Sequence, residues 1–119
     1  MPKTVLIVDD SRMSRMMIST IIKTHHSDWT IIDAASGEEA LKKAEDRQID
    51  LMTLDMNMPG MDGITLGSRL RAQFPDADIA LVTANIQEAV QHKAEEAQLA
   101  FIAKPITEER IMEFVKSVE

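Results

Sequence analysis

The residues of this sequence that could do chemistry stand at the ends of its apolar runs. Residues 5–8 (VLIV) lead into Asp9 and Asp10, and residues 51–54 (LMTL) lead into Asp55. Residues 79–82 (IALV) lead into Thr83, and residues 99–103 (LAFIA) lead into Lys104 and Pro105. Three carboxylates brought together repel, so one must take a proton or a cation must neutralise them. A hard divalent ion fits, because Mg²⁺ takes one or two carboxylates together with waters and phosphate oxygens. A lysine opposite adds a further positive charge. Metal and ammonium together would offset the charge of a phosphoryl group that one carboxylate attacks as nucleophile. Thr83 offers a hydroxyl to a phosphoryl oxygen, and Ala84 beside it is small enough to leave the approach open.

Each piece alone has a plainer reading. An acid pair before a helix favours the positive end of the helix dipole. Pro59-Gly60 and Asp62-Gly63 are turn chemistry in any protein. A threonine at a strand end and a lysine before a proline are common. The signal is the joint pattern: acid pair, Asp, Thr and Lys-Pro at four different strand ends, in that order.

The elements that must position them alternate. A fifth apolar run, residues 30–34 (TIIDA), carries no such residue. Most of the runs lack polar alternation, as strands covered on both faces do. Between them lie helix-length segments at residues 11–24, 37–46, 62–74, 86–98 and 107–118. The last shows an i, i+3, i+4, i+7 stripe of Ile111, Phe114, Val115 and Val118. Thr107 is a plain N-cap candidate, since Arg110 stands where a capping box needs Glu or Gln. Five strands alternating with five helices predict an α/β fold with a parallel sheet and helices on both faces. In such sheets ligands bind at the carboxyl ends of the strands, where strand order reverses. A 2-1-3-4-5 order makes strands one and three neighbours and leaves the second strand outermost.

Composition limits the alternatives. The 119 residues suit one domain, and 45% hydrophobic content suits one real core. A net charge of −7 disfavours nucleic-acid binding. The absence of cysteine excludes disulfides and thiolate metal sites, in keeping with a reducing cytoplasm. No apolar run approaches the roughly 18 residues that a membrane span needs. A cytoplasmic domain without a membrane partner is expected.

The motifs LIVDDS (residues 6–11), LDMNMPGMDG (54–63), VTA (82–84) and FIAKP (101–105) resemble those of response-regulator receiver domains, over nearly the whole chain. The resemblance implies the flavodoxin-like receiver fold, which has this strand order, with residues 1–119 as one receiver of the single-domain chemotaxis type. It implies that Asp55 is the phospho-acceptor and that Asp10, Asp55 and the Asn57 backbone carbonyl ligate Mg²⁺, with Mn²⁺ as a substitute. Asp9 would act through a coordinated water. Lys104 would pair with Asp55 or its phosphoryl group. Thr83 would be the switch hydroxyl and Phe101 the switch aromatic. The Lys104–Pro105 bond is expected to be cis, and the side chains of Asn57 and Asn85 to tune phosphoryl lifetime. A sensor histidine kinase or His-containing phosphotransfer domain would donate the phosphoryl group. The surface of helix four, strand five and helix five would then change for a downstream protein target. Such a switch is not a turnover enzyme. It is expected to be monomeric; the sequence leaves dimerisation on phosphorylation open.

Two other readings compete. One is the isolated receiver of a larger regulator; the last helix running to the end of the chain weighs against it. The other is a haloacid-dehalogenase-type phosphatase, which needs a second Asp where this chain has Asn57.

Some features admit two readings of their own. Three of the nine methionines, Met13, Met16 and Met17, fall in the first helix. Helical spacing puts Met17, Ile18 and Ile21 at the centre of the buried face and Met13 and Met16 toward its edge. Methionine is an adaptable core residue; the alternative is that Met13 and Met16 help form a docking patch for the phosphodonor. His25-His26 suits a helix C-terminus better than a metal or phosphohistidine site. Trp29 is expected to be partly buried. Gly67 costs its helix about 1 kcal/mol relative to Ala, with no sequence-level reason beyond close packing.

Overall fold

In the computed structural model, which describes residues 2–118, the apolar runs become five parallel strands. The elements run β1 (Thr4–Val8), α1 (Arg12–His25), β2 (Thr30–Ala34), α2 (Gly37–Ala44), β3 (Leu51–Asp55), α3 (Gly63–Gln73), β4 (Asp78–Thr83), α4 (Glu88–Glu96), β5 (Ala100–Ala103) and α5 (Glu108–Ser117). The sheet order is β2-β1-β3-β4-β5. Successive strand residues point to opposite faces, and each face carries its own core. Leu6, Met52, Leu54, Ile79 and Leu81 pack with Ala40, Leu66, Leu70, Val90 and Ala94 from α2, α3 and α4. Val5, Ile7, Leu51, Ala80 and Val82 pack with Ile18, Ile22, Ile111 and Val115 from α1 and α5. Both faces are therefore apolar, which is why most strands show no alternation in sequence. No helix among the described residues is long and apolar enough to cross a membrane.

Four helices start on a side-chain oxygen that accepts a backbone N–H of the first turn. Ser11 accepts from Ser14, Ser36 from Glu39, Asp62 from Thr65, and Thr107 from Arg110. These caps place the start of each helix close to the carboxyl edge of the sheet.

Three boundaries differ from the sequence expectation by two residues, the others by one at most. The second helix stops at Ala44 instead of Asp46, because Glu45 is extended and Asp46 is left-handed at φ 58°. The fourth helix is shorter at both ends. At its start, the Gln87 N–H donates to Asn85 Oδ1 at 3.1 Å, which keeps Ile86 and Gln87 in the preceding loop. At its end, Gln98 turns left-handed at φ 60°, so that the Leu99 N–H reaches the Ala94 carbonyl at 2.8 Å. This is a Schellman-type closure made without glycine. It lays Leu99 over Gly67, where an added Cβ would come within 2.6 Å of Leu99 Cδ1. Close packing therefore accounts for the glycine in α3.

The first helix also turns differently from the expectation. Ile18 and Ile22 are its buried residues, and Met17 is 42% exposed. The buried face is centred on the i, i+4 pair, which carries Met17 about 100° away from Ile18. Trp29 is more buried than expected, at 4% exposure, with its ring stacked on His26 at 3.8 Å between centroids. His25 lies in the last turn of α1, and its Nε2 is 3.0 Å from Glu108 Oε1 at the start of α5.

Candidate functional site

Parallel strands with helices returning over both faces bring their carboxyl ends to one edge. Asp55 is the last residue of β3 and lies opposite Val82 of β4. Asp9 directly follows β1, and its N–H donates to the Ala34 carbonyl at 3.1 Å. Carboxylate oxygens of Asp9, Asp10 and Asp55 lie within 4.8 Å of one another. Asp9 and Asp55 are 2% and 5% exposed, whereas Asp10 is open to solvent. Lys104, which follows β5, brings Nζ to 3.0 Å from Asp55 Oδ1 and 3.9 Å from Asp9 Oδ2.

One ammonium facing three carboxylates leaves the pocket short of positive charge. The pKa of the Asp9 carboxyl is raised above its ordinary value. Burial is the largest cause, and the charges of Asp55 and Asp10 add to it. The Ser11 N–H, donating to Asp9 Oδ1 at 2.8 Å, and the Lys104 ammonium pull the other way. A hard divalent cation supplies what is missing, so these residues fit Mg²⁺.

The shift carries an expected result for the metal-free protein. The native state, with its raised pKa, binds the Asp9 proton more tightly than the unfolded chain does. The stability it contributes is therefore present at low pH and lost as pH rises through the folded-state pKa. An asparagine has no charge to bury. Asp9→Asn should melt higher than wild type at neutral pH in a chelator, and the gap should close as pH falls into the ordinary carboxylate range. Thermal melts from neutral pH down into the ordinary carboxylate range check this. A gap that widened toward low pH would contradict it.

The remaining predicted residues lie on or just after β4 and β5, in the β3–α3 loop and on α1. The Thr83 hydroxyl is buried and accepts the Asn85 N–H at 3.1 Å, and the Thr83 carbonyl accepts the Lys104 N–H at 2.9 Å. Phe101 is half-buried and pairs with Leu81, two residues before Thr83, so Phe101 and Thr83 lie on the same face of the sheet. The Lys104–Pro105 peptide bond is cis. Asn57 is exposed in the β3–α3 loop, between Met56 and buried Met58. Met56 ties that loop to its neighbours: its N–H donates to the Val82 carbonyl at 3.3 Å, and its carbonyl accepts the Gly63 N–H at 2.9 Å. Met13 and Met16 are 73% and 58% exposed and, with Met17 and Ile21, make an apolar surface on α1. The core reading of the methionines is therefore corrected, for Met17 as well.

The sequence reading misses Arg15 and takes Gly63 only as turn chemistry. Arg15 sits three residues before Ile18 on the buried side of α1, and its Nη1 donates to the Asp9 carbonyl at 2.8 Å. A charged residue in register with Ile18 and Ile22 was the available signal. Gly63 opens α3 against the Asp55 backbone, where an added Cβ would overlap the Asp55 carbonyl oxygen. Its place after a turn-forming Asp concealed that contact.

Known proteins resemble this chain in sequence and fold. The family described as "Response regulator receiver domain" matches residues 5–116. The chain is 36% identical over 110 residues to the chemotaxis protein CheY of Listeria monocytogenes, covering 91% of each. Among solved structures, the chemotaxis protein CheY4 of Vibrio cholerae superposes with a TM-score of 0.91 at 26% identity over all of both chains. A CheX–CheY–BeF3–Mg²⁺ complex from Borrelia burgdorferi matches with a TM-score of 0.89 and 34% identity, over 99% of this chain and 90% of that one.

Proposed function

The chain belongs to the response regulator receiver domain family, and on that premise we propose that it is a phospho-acceptor switch of a two-component system, phosphorylated on Asp55. Receivers of the CheY kind are signalling switches and not enzymes that turn over external substrates. The observation that carries the reading is a buried carboxylate at the last position of β3, 3.0 Å from a lysine ammonium and beside two further aspartates. Residues 1–119 are proposed to act as one stand-alone cytoplasmic domain, a reading supported by the near full-length match to a chemotaxis relative.

In the proposed reaction the donor is a phosphohistidine of a sensor histidine kinase or phosphotransfer domain. An Asp55 carboxylate oxygen attacks phosphorus. An O–P bond forms, and the N–P bond breaks with its electron pair returning to the imidazole, which takes up a proton. Mg²⁺ held by Asp10, Asp55 and the Asn57 carbonyl, with Asp9 acting through water, would supply positive charge toward the phosphoryl oxygens. Lys104 keeps its place beside Asp55 and meets the added charge. The Thr83 hydroxyl turns from accepting the Asn85 N–H to donating to a phosphoryl oxygen. Phe101, on the same face, follows into the space that opens. The surface of α4, β5 and α5 is then the face that a downstream protein reads, or that pairs two copies. Its equilibrium shifts only by the free-energy difference the phosphoryl group makes between the two states. The amides of Asn57 and Asn85 offer no base to activate water, so they tune the lifetime of the acyl phosphate without themselves promoting its hydrolysis.

The test is intact mass after treatment with acetyl phosphate and Mg²⁺. Wild type should gain an acid-labile phosphoryl group and Asp55→Ala should not. Turnover of many phosphomonoesters would instead favour the haloacid-dehalogenase reading.

The exposed methionines next to the acidic turn are proposed to seat the protein donor. Met13→Gln with Met16→Gln should slow transfer from the phosphorylated donor by roughly tenfold, the effect of losing an apolar anchor from an interface. Labelling by acetyl phosphate, which needs no docking, should be spared. Equal slowing with both donors would remove the docking role.

A further inference from the structure

Asp9 and Asp10 stand on the short turn between β1 and α1, and an arginine of α1 grips that turn. Arg15 is mostly buried, with its side chain 15% exposed. Its Nη1 donates to the Asp9 backbone carbonyl at 2.8 Å, and its Nε donates to Asp33 Oδ2 at 2.8 Å. Asp33 belongs to β2, in register with Ile7 of β1, and its own carbonyl accepts Lys43 Nζ of α2 at 2.6 Å. The guanidinium thus bridges the end of β1 to a braced residue of the neighbouring strand. The rest of Asp9 is held as well: its N–H by the Ala34 carbonyl and its Oδ1 by the Ser11 N–H.

The Asp9 carbonyl is part-buried and needs a donor, but any single donor would satisfy it. A planar fork that joins that carbonyl to a second acceptor fixes direction, which a lysine on a flexible stem does not. We propose that Arg15 is a positioning residue for the acidic cluster: it sets the turn that presents Asp9 and Asp10, and thereby raises the affinity of the cluster for a divalent cation without touching that cation. The proposal rests on the metal-site reading above.

Charge and positioning predict opposite signs for the loss of Arg15. Removing a positive charge beside a cation site tightens binding by relieving Coulomb repulsion. Removing a positioning contact weakens it, and partners behind the ligands of metal sites typically matter by tenfold or more. A contact serving only stability would leave the affinity of the folded protein unchanged.

The experiment titrates wild type, Arg15→Met, Arg15→Lys and Asp10→Asn with Mn²⁺ and reads free Mn²⁺ by electron paramagnetic resonance. Circular dichroism establishes that each variant is folded at the working temperature. Wild type should bind, and Asp10→Asn should bind much more weakly, which locates the ion at the cluster. Arg15→Met and Arg15→Lys should each weaken binding by about tenfold. Unchanged or tighter binding by Arg15→Met would overturn the proposal while leaving the metal site standing. If Arg15→Met does not fold, Arg15→Lys decides by the same criterion. Absence of binding by wild type, or undiminished binding by Asp10→Asn, would overturn the metal-site reading and the proposal with it.

Discussion

Asp55→Ala should abolish labelling by acetyl phosphate, with a loss of at least about 10³-fold, as when a nucleophile is removed from a site whose other groups remain. The expectation follows from how the three carboxylates differ. Asp10 is open to solvent, and Asp9 has Oδ1 engaged by the Ser11 N–H. Asp55 is buried, with Oδ1 on Lys104, and Oδ2 has no hydrogen-bond partner among the described residues. Of the three it alone is hydrogen-bonded to the ammonium, at 3.0 Å against 3.9 Å for Asp9, while keeping an oxygen without a donor. Asp9→Asn should still be labelled, more slowly, because it loses part of the cation site and keeps the nucleophile. Intact mass before and after acid treatment separates the cases. A persistent adduct on Asp55→Ala would move the acceptor elsewhere. Absence of an adduct on wild type would end the switch reading.

Much of this site was legible because the chemistry sits where a strand run stops. A strand buried on both faces cannot hold a charge along its length, so Asp9, Asp55 and Lys104 mark the ends of their runs as well as the pocket. What the sequence hides is contact between elements. The exposure of Met17 depends on which face α1 turns to the sheet, and three methionines beside three isoleucines leave that face ambiguous. The late start of α4 hangs on the side chain of Asn85, and its end on a left-handed Gln98 where glycine would have been the visible signal. Arg15 reads as one more surface arginine until the Asp9 carbonyl and Asp33 are placed on either side of it. Local pattern therefore carries the strands and their terminal residues, while the supports behind them come from packing across the sheet edge.

Gly63→Ala tests such a support at its tightest point. Gly63 is the first residue of α3 and is buried, and its N–H donates to the Met56 carbonyl at 2.9 Å. A Cβ there would overlap the Asp55 carbonyl oxygen and lie 2.9 Å from the Asp55 carbonyl carbon and 2.8 Å from Leu81 Cδ1. Two of the three obstacles are backbone, and that backbone belongs to the proposed acceptor, so relief requires β3 or α3 to move. Forcing one methyl group into such a place costs about 3 kcal/mol, which for a domain of this size lowers the melting temperature by roughly 10 °C. The folded fraction should also label slowly, since any shift that admits the methyl displaces Asp55 relative to Lys104. Gly37→Ala is the informative comparison. There the added carbon meets only Met61, at 3.1 Å from both Cβ and Sδ; the thioether can swing aside and the Cβ contact needs a shift of only a few tenths of an ångström. Its melting temperature should stay within about 3 °C of wild type, with normal labelling. If Gly63→Ala melted and labelled like Gly37→Ala, α3 would not be bracing the acceptor, and the glycine after Asp62 would be no more than part of a turn.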